Sequence, residues 1–273
     1  MKYLCLYYTG KGKIPQTKKD PIMDANSVTI VTGGGRGIGR TVALRMAKET
    51  VVMVVSQHQQ NTMATVREIH EAGGIAKFTI GDVAEAHTAW ECELSCRGLK
   101  ISNLICNAGI GIGGPTEEFS HANWKRMFDV NVHGAFYFIR TFLPMLIENG
   151  GGNIILMSST AGLDGLQRNM AYSATKHALV GMAKSLGLEY ARHGIRCVAI
   201  CPNFVEGGMT ESLIKNLAMH RKISEADALQ IVIDSTPKKR LITQAEIAAA
   251  VAKICTNRFF CPGNILVING EKP

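Results

Sequence analysis

Tyr172 and Lys176 stand four residues apart in the stretch AYSATKHAL, a spacing that puts both side chains on one flank of a helix. A phenol with an ordinary pKa near 10 exchanges protons poorly at neutral pH. An ammonium beside it favours the phenolate and lowers that value, so the pair reads as a tuned acid–base. Alone the pattern is weak, because most such pairs are surface pairs. Upstream, IILMSSTAG brings Ser158 and Ser159 to the end of a strand-like run. A hydroxyl there is able to donate to a developing alkoxide; the plainer alternative is a helix or turn cap. Asn131 falls inside MFDVNVHGAFYF, an apolar and helical stretch. Asparagine disfavours helix interiors and costs free energy when buried unless bonded. It is either a satisfied buried amide or a water-holding relay towards Lys176.

A second group of residues has the chemistry of anion binding. VTGGGRGIGR, from Val31 to Arg40, follows a β-branched run and precedes a helical pattern. Strand, glycine turn and helix together point unpaired amides at an anion such as a phosphate. Three patterns compete for the stretch. The Rossmann spacing G-x-G-x-x-G fails, because Ile38 stands where its third glycine belongs. The P-loop spacing nearly fits Gly34, Gly39, Arg40 and Thr41, but with arginine in the lysine's place. Thr-Gly-x-x-x-Gly-x-Gly fits fully on Thr32, Gly33, Gly37 and Gly39. Two other strand-like runs end on LICNAGI, with Asn107, Ala108 and Gly109, and on IGDV, with Asp82 and Val83. Singly, Asp82 reads as a strand-end cap.

Taken in order, the glycine turn, Asp82, Asn107-Ala108-Gly109, Asn131, Ser159, Tyr172 and Lys176 resemble the short-chain dehydrogenase/reductase family, over roughly residues 27–270. Within the family, PNFVEGGMTESL resembles 3-oxoacyl carrier-protein reductases and ISEADALQ…PKKRLIT resembles 3-hydroxybutyrate dehydrogenases. It implies an NAD(P)-dependent oxidoreductase that moves hydride between a nicotinamide and a carbonyl or secondary alcohol. By the family's serine-to-tyrosine spacing, Ser159 rather than Ser158 would bond the substrate oxygen. Tyr172 would exchange the proton, Lys176 would depress the tyrosine pKa and hold the nicotinamide ribose, and Asn131 would anchor a relay water. The pyrophosphate and adenosine ribose would approach between Gly33 and Gly39, past Gly35, Gly37 and Ile38. Asp82 and Val83 would meet the adenine. Asn107, Ala108 and Gly109 would keep the chain small beside the cofactor, and Pro202 and Val205 would face the nicotinamide.

The cofactor choice is argued at the second strand. NAD enzymes usually carry an acid at its end for the ribose 2′-hydroxyl. From Thr50 to Arg67 there is no acid, and Ser56, Gln57 and His58 occupy the place. A 2′-phosphate is not repelled, and Arg36 is positioned to pair with it; NADP is expected, with NAD possible. Departures from the family pattern occur after the sixth strand, where Pro202-Asn203-Phe204-Val205-Glu206-Gly207 replaces Pro-Gly-x-Val/Ile-x-Thr. Asn203 is expected to take over the glycine's left-handed backbone, and Gly207 removes a nicotinamide contact. Three functions follow: an NADP-dependent carbonyl reductase, possible on a 3-oxoacyl thioester with Lys238, Lys239 and Arg240 facing an acidic carrier; an NAD-linked alcohol or hydroxyacid dehydrogenase; or a non-catalytic NADP-binding sensor or scaffold.

The elements that must position these residues recur as short apolar runs: Val28–Thr32, Val51–Val55, Ala76–Ile80, Leu104–Cys106, Asn153–Met157, Arg196–Ile200 and Ile265–Ile268. Helical segments lie between them, at Thr62–Ala72, Trp124–Leu146, Ala171–Ala191 and Gln244–Cys255, with a further helical mixture between Met209 and Pro237. Alternation of this kind predicts an α/β fold, here a single-domain Rossmann-like, doubly wound parallel sheet of about seven strands with helices on both faces. The chain has 273 residues and no internal linker, so one domain over 23–273 is expected. Residues 1–22 read as a flexible extension and a poor signal peptide; their five lysines and one aspartate supply half of the +8 net charge. The rest is too weakly basic for a nucleic-acid surface, and no stretch of about 18 apolar residues predicts a membrane span. Eight cysteines without a C-x-x-C pair or a zinc spacing point to free thiols in a reducing cytoplasm and to no metal. The expected partners are a small-molecule carbonyl or alcohol and further copies of the chain, as a homodimer or homotetramer, packed through the Asn131 and Tyr172 helices with Ala174, Ala178, Gly181 and Ala183 at the contact.

Overall fold

Strands that are apolar on both faces need cover on both sides, and this sheet has it. The computed structural model describes residues 24–256 and 264–270. The strands are β1 (Asp24–Thr32), β2 (Thr50–Ser56), β3 (Ala76–Ile80), β4 (Lys100–Cys106), β5 (Gly152–Met157), β6 (Ile195–Pro202) and β7 (Ile265–Ile268). They form one sheet in the order β3-β2-β1-β4-β5-β6-β7, and each neighbouring pair is parallel. Along β2, Val51, Met53 and Val55 enter one core while Val52 and Val54 enter the other. That two-sided burial is why the run shows no alternation. The helices α1 (Gly37–Met46), α2 (Gln59–Glu71) and α9 (Gln244–Cys255) cover one face. The other face carries α3 (Ala86–Ser95), α4 (His121–Phe128), α5 (Gly134–Glu148) and α6 (Met170–Tyr190). The strand order reverses between β1 and β4, so their C-terminal ends open a crevice at the switch point.

The remaining helices, α7 (Gly208–Arg221) and α8 (Glu225–Ser235), pack as a hairpin around their own small core of Ile214, Ala218, Ala228 and Val232. They occupy the stretch expected to be helical between Met209 and Pro237. The long helix expected over Trp124–Leu146 is instead α4 and α5 joined by one π turn, Asp129–His133. The 121–148 run is long and apolar enough to cross a membrane by length and composition alone, a test that the core helix of a globular domain also passes. It lies along the sheet, with Met127, Phe138, Phe142 and Leu146 fully buried.

One polar row crosses this apolar sheet. The Thr50 hydroxyl donates to Thr29 Oγ1 at 2.8 Å, and Asn103 Nδ2 donates to the same oxygen at 2.9 Å. Asn153 Nδ2 then donates to Asn103 Oδ1 at 2.7 Å, and Arg196 Nη2 to Asn153 Oδ1 at 2.6 Å. Thr29, Asn103, Asn153 and Arg196 are direct cross-strand partners on β1, β4, β5 and β6. Burial without these bonds would cost each amide on the order of 1–3 kcal/mol.

Cys92, Cys96, Cys106, Cys197 and Cys201 are buried free thiols and Cys255 is a partly buried one. Burial pushes the thiols of Cys197 and Cys255 up to about 12, which makes them poor nucleophiles. Cys5, Cys261 and the expected extension over residues 1–22 lie outside the described residues.

Candidate active site

The glycine turn joins β1 to α1 at the switch point. Thr32 Oγ1 accepts from the backbone N–H groups of Asn107 at 3.0 Å and Ala108 at 3.1 Å, and Asn107 Nδ2 donates to Thr32 O at 3.1 Å. Two expected cofactor residues therefore hold the ends of β1 and β4 together. A Cβ on Gly33, whose φ is +66°, would lie 2.9 Å from Ala108 Cα. One on Gly39 would lie 2.2 Å from the Gly33 carbonyl oxygen and 2.5 Å from Asn107 Nδ2. The protein's own main chain, not a ligand, excludes side chains at these two positions. Gly37 differs: its φ is +55°, and no atom lies within 4 Å of its Cβ direction. Beside it, Arg36 is exposed at the N-cap of α1, and no side chain caps that end. The turn therefore offers bare amides on an open side, which suits a pyrophosphate.

At the end of β2, Ser56 Oγ lies 3.0 Å from the Cβ position of Gly35. Gln57 and His58 are exposed and 3.2 Å apart through Nε2 atoms. Ile38 is partly exposed against the α1-side core. Arg40, the P-loop near match, is paired with Glu68 on α2 instead.

Strand β5 delivers the serines. The Ser158 hydroxyl is buried and donates to Lys176 O at 2.8 Å, so this residue anchors α6. Ser159 is partly exposed; its Oγ accepts from Ala161 N at 3.2 Å and donates to Pro202 O at 3.5 Å. Gly162 lets α6 come close, since a Cβ there would lie 2.4 Å from Ser158 Oγ and 2.6 Å from Lys176 O. On α6, Lys176 Nζ donates to Met157 O at 2.7 Å and stands 5.5 Å from the centroid of the Tyr172 ring. The expected lowering of the tyrosine pKa is not what this arrangement gives. Burial pushes Tyr172 up to about 12, opposed by its hydrogen bond with Ser159. Burial also lowers Lys176 to about 8. Loss of water is the largest cause of both shifts, and both groups move towards their neutral forms.

Asn131 lies in the π turn and is 1% exposed. Its Oδ1 accepts from Ile110 N at 2.8 Å, and its Nδ2 donates to Ile110 O at 2.9 Å and to Thr175 Oγ1 at 3.0 Å. Both amide protons are used, and one lone pair of Oδ1 remains. A Cβ on Gly109 would lie 3.4 Å from both Asn131 Oδ1 and Lys176 Nζ, so the two groups flank one point. The π turn explains how asparagine sits within an apolar helix: such turns break the regular bonding pattern. Thr175 and the Met157 carbonyl were not legible from spacing, because their roles come from packing. Asp82 is a strand-end cap to Ala84 N at 3.0 Å and also pairs with Arg126 at 2.6 Å. The Val83 side chain is buried, and its Cγ2 lies 2.9 Å from the Cβ position of Gly134.

The loop after β6 differs from expectation. Asn203 does not adopt a left-handed backbone; among the described residues the non-glycine positions that do are Arg168, Lys222, Lys239 and Asn264. Its Oδ1 accepts from Phe204 N at 2.9 Å. The strained conformation sits at Gly207, with φ +125° and Gln244 Nε2 2.8 Å from its Cβ direction. A threonine there would be strained by that backbone angle, so the departure is set by backbone. Val205 pairs with Ile242 in a short parallel bridge, and its carbonyl accepts from Thr210 Oγ1 at 2.6 Å. Pro202 is buried. In the Lys238-Lys239-Arg240 run both lysines are exposed, Lys239 donating to Asp234 O, while Arg240 is bound to Glu246 at 2.6 and 2.8 Å.

The family model described as short chain dehydrogenase matches residues 27–218. Levodione reductase of Leifsonia aquatica is 33% identical over 232 residues, 82% of this chain and 85% of that one. Cyclohexanol dehydrogenase of an Acinetobacter species is 32% identical over 251 residues, 90% of this chain and 94% of that one. Among solved structures, a variant of actinorhodin polyketide ketoreductase with NADPH superposes with a TM-score of 0.85 at 29% identity, covering 91% of this chain and 97% of that one.

Proposed function

Because the chain belongs to the short-chain dehydrogenase family and is an oxidoreductase acting on alcohols and ketones, we propose that it is an NADP-dependent carbonyl reductase with Tyr172 as proton donor. The observation that carries this reading is the placement of the Tyr172 ring 5.5 Å from Lys176 Nζ, at the strand ends that also carry Ser159. A phenol beside an ammonium is able to give its proton to a carbonyl oxygen as negative charge develops there, because the cation favours the phenolate that forms. When bound, the nicotinamide supplies hydride to the carbonyl carbon. Ser159 and Tyr172 donate hydrogen bonds to the carbonyl oxygen, and Tyr172 gives up its proton as negative charge develops there. The Lys176 cation stabilises the tyrosinate left behind. The remaining lone pair of Asn131 Oδ1 holds a water beside Lys176 that restores the proton.

The amides of the glycine turn, Gly33 to Gly39, are proposed to hold the pyrophosphate, with Asn107, Ala108, Gly109, Pro202 and Val205 bordering the nicotinamide half. Preference for NADP rests on the acid-free stretch from Thr50 to Arg67 and on exposed Arg36, with Ser56, Gln57 and His58 around the 2′-phosphate. Initial rates with NADPH and NADH across a panel of ring ketones and 3-oxoacyl thioesters test the assignment. NADPH is expected to give the higher kcat/KM, and Arg36→Ala to erase roughly tenfold of that preference, as loss of one charge-assisted pair would. Equal use of both cofactors by the wild type would remove the NADP assignment.

Cyclohexanol, named for one relative, is a ring alcohol, and a ring ketone is the substrate class proposed here. The bound state of Arg240 weakens the case for an acidic carrier protein. A cytoplasmic homodimer or homotetramer remains our reading, with Ala174, Ala178 and Gly181 of α6 facing a second copy. Ala183 is fully buried against the sheet, because its turn of the helix places it on the inner face.

The lysine sets a pH dependence. Its folded pKa is depressed to about 8, so the cation is present below that pH and is lost as pH rises through it. Tyr172 stays protonated over the same range. Carbonyl reduction should therefore fall above about pH 8. In Lys176→Arg, whose charge persists, whatever activity remains should show no such fall. A limb that stays at the same pH in the arginine variant would assign it to another group.

A further inference from the structure

Gly111 is a glycine of the crevice that its own fold does not require. Its φ is not left-handed. A Cβ there would lie 3.4 Å from Met209 Sδ and 3.5 and 3.6 Å from Cδ2 and Cε2 of Tyr172, all ordinary contacts. Nearby Gly113 is tighter, with Asn169 Oδ1 at 3.2 Å and Arg168 O at 3.3 Å. Gly33, Gly39 and Gly162 are tighter still. Smallness at 111 therefore keeps one flank of the Tyr172 ring open without serving backbone or packing. Cε2, on that flank, adjoins the carbon that bears the hydroxyl.

Met209 faces the same flank from the first turn of α7. It is 51% exposed, although it is a large apolar side chain. A thioether of this kind adapts to irregular apolar shapes and offers a carboxylate nothing in return for lost water. Nearby, Asn169 Nδ2 donates to Gln167 O at 3.0 Å.

We propose that Gly111 and Met209 set substrate selectivity, forming a slot beside Tyr172 that takes the larger, uncharged carbon skeleton next to the reacting carbonyl, such as an alicyclic ring. The proposal rests on Tyr172 being the proton donor, as argued above. The test compares cyclohexanone with 2-butanone, each with NADPH, in the wild type, Gly111→Val and Met209→Ala. NADPH binding is followed by its fluorescence in every variant. Gly111→Val should lower kcat/KM for cyclohexanone about tenfold more than for 2-butanone, mainly through KM, in the range that a few methylene-sized contacts give. Met209→Ala should raise the relative kcat/KM for 4-tert-butylcyclohexanone over cyclohexanone. Equal losses on both small ketones in Gly111→Val, no loss on either, or a wild-type preference for acetoacetate over both would overturn the slot. A wild type that binds NADPH but reduces no carbonyl in the wider panel would defeat the reductase reading, and the slot with it.

Discussion

Tyr172→Phe should lower kcat for carbonyl reduction by about 10³-fold, within the range that a positioned general acid contributes, while NADPH binding is retained. The substitution keeps the ring that packs over Lys176 at 5.5 Å and removes only the hydroxyl. Ser159 loses a partner but keeps its bonds to Ala161 N and Pro202 O, so the loop geometry has reason to persist. Single-turnover reduction with pre-bound NADPH separates chemistry from binding. A variant within tenfold of wild type would mean that the proton comes from elsewhere. A variant that also fails to bind NADPH would show that the phenol matters for assembly of the site.

Gly39→Ala should be comparably damaging, through a different route. The added methyl would stand 2.2 Å from the Gly33 carbonyl oxygen, backbone that has no other place to go. The turn must open, and the first amides of α1 move with it. NADPH affinity should fall about 100-fold, a loss equal to roughly 2.7 kcal/mol, and the melting temperature should fall as well. Gly37→Ala is the informative contrast. Nothing crowds its Cβ direction, so it meets only the left-handed backbone cost of about 1–2 kcal/mol. If the open side of the turn faces the pyrophosphate, Gly37→Ala weakens NADPH binding with a smaller loss of stability. Titration of NADPH fluorescence alongside thermal unfolding reads both quantities. Unchanged NADPH affinity in Gly39→Ala would refute the role given to the turn.

The strands β1, β2 and β7 are legible as β-branched runs, and along β2 two-sided burial leaves no competing period, whereas β3, AKFTI, is a weaker signal with Lys77 and Phe78 exposed. The order of the site residues was legible for a related reason: each follows the end of a strand or lies on one helix flank. What spacing does not encode is the density of the surroundings. Tyr172 and Lys176 were readable as neighbours, yet the direction of the tyrosine shift depends on how much water the fold removes, and burial reversed it. The π turn at Asn131 depends on tertiary bonds to Ile110 and Thr175. The short helix α3, AHTAWECELS, has a weak amphipathic pattern and went unmarked between β3 and β4. Gly207 looked like a lost contact because its backbone angle cannot be read from a residue name.

The row of hydrogen bonds from Thr50 to Arg196 has a consequence for how the chain finds its fold. Parallel strands are joined by long crossovers, so no tight hairpin dictates how far one slides along the next. Valines and isoleucines tolerate such sliding, since one greasy neighbour resembles another. Asn103 and Asn153 do not: a slip of one residue turns each amide to the opposite face of the sheet and strands it among hydrocarbon. The row thus acts as an alignment key spanning five strands, penalising every register but the one in which these side chains meet.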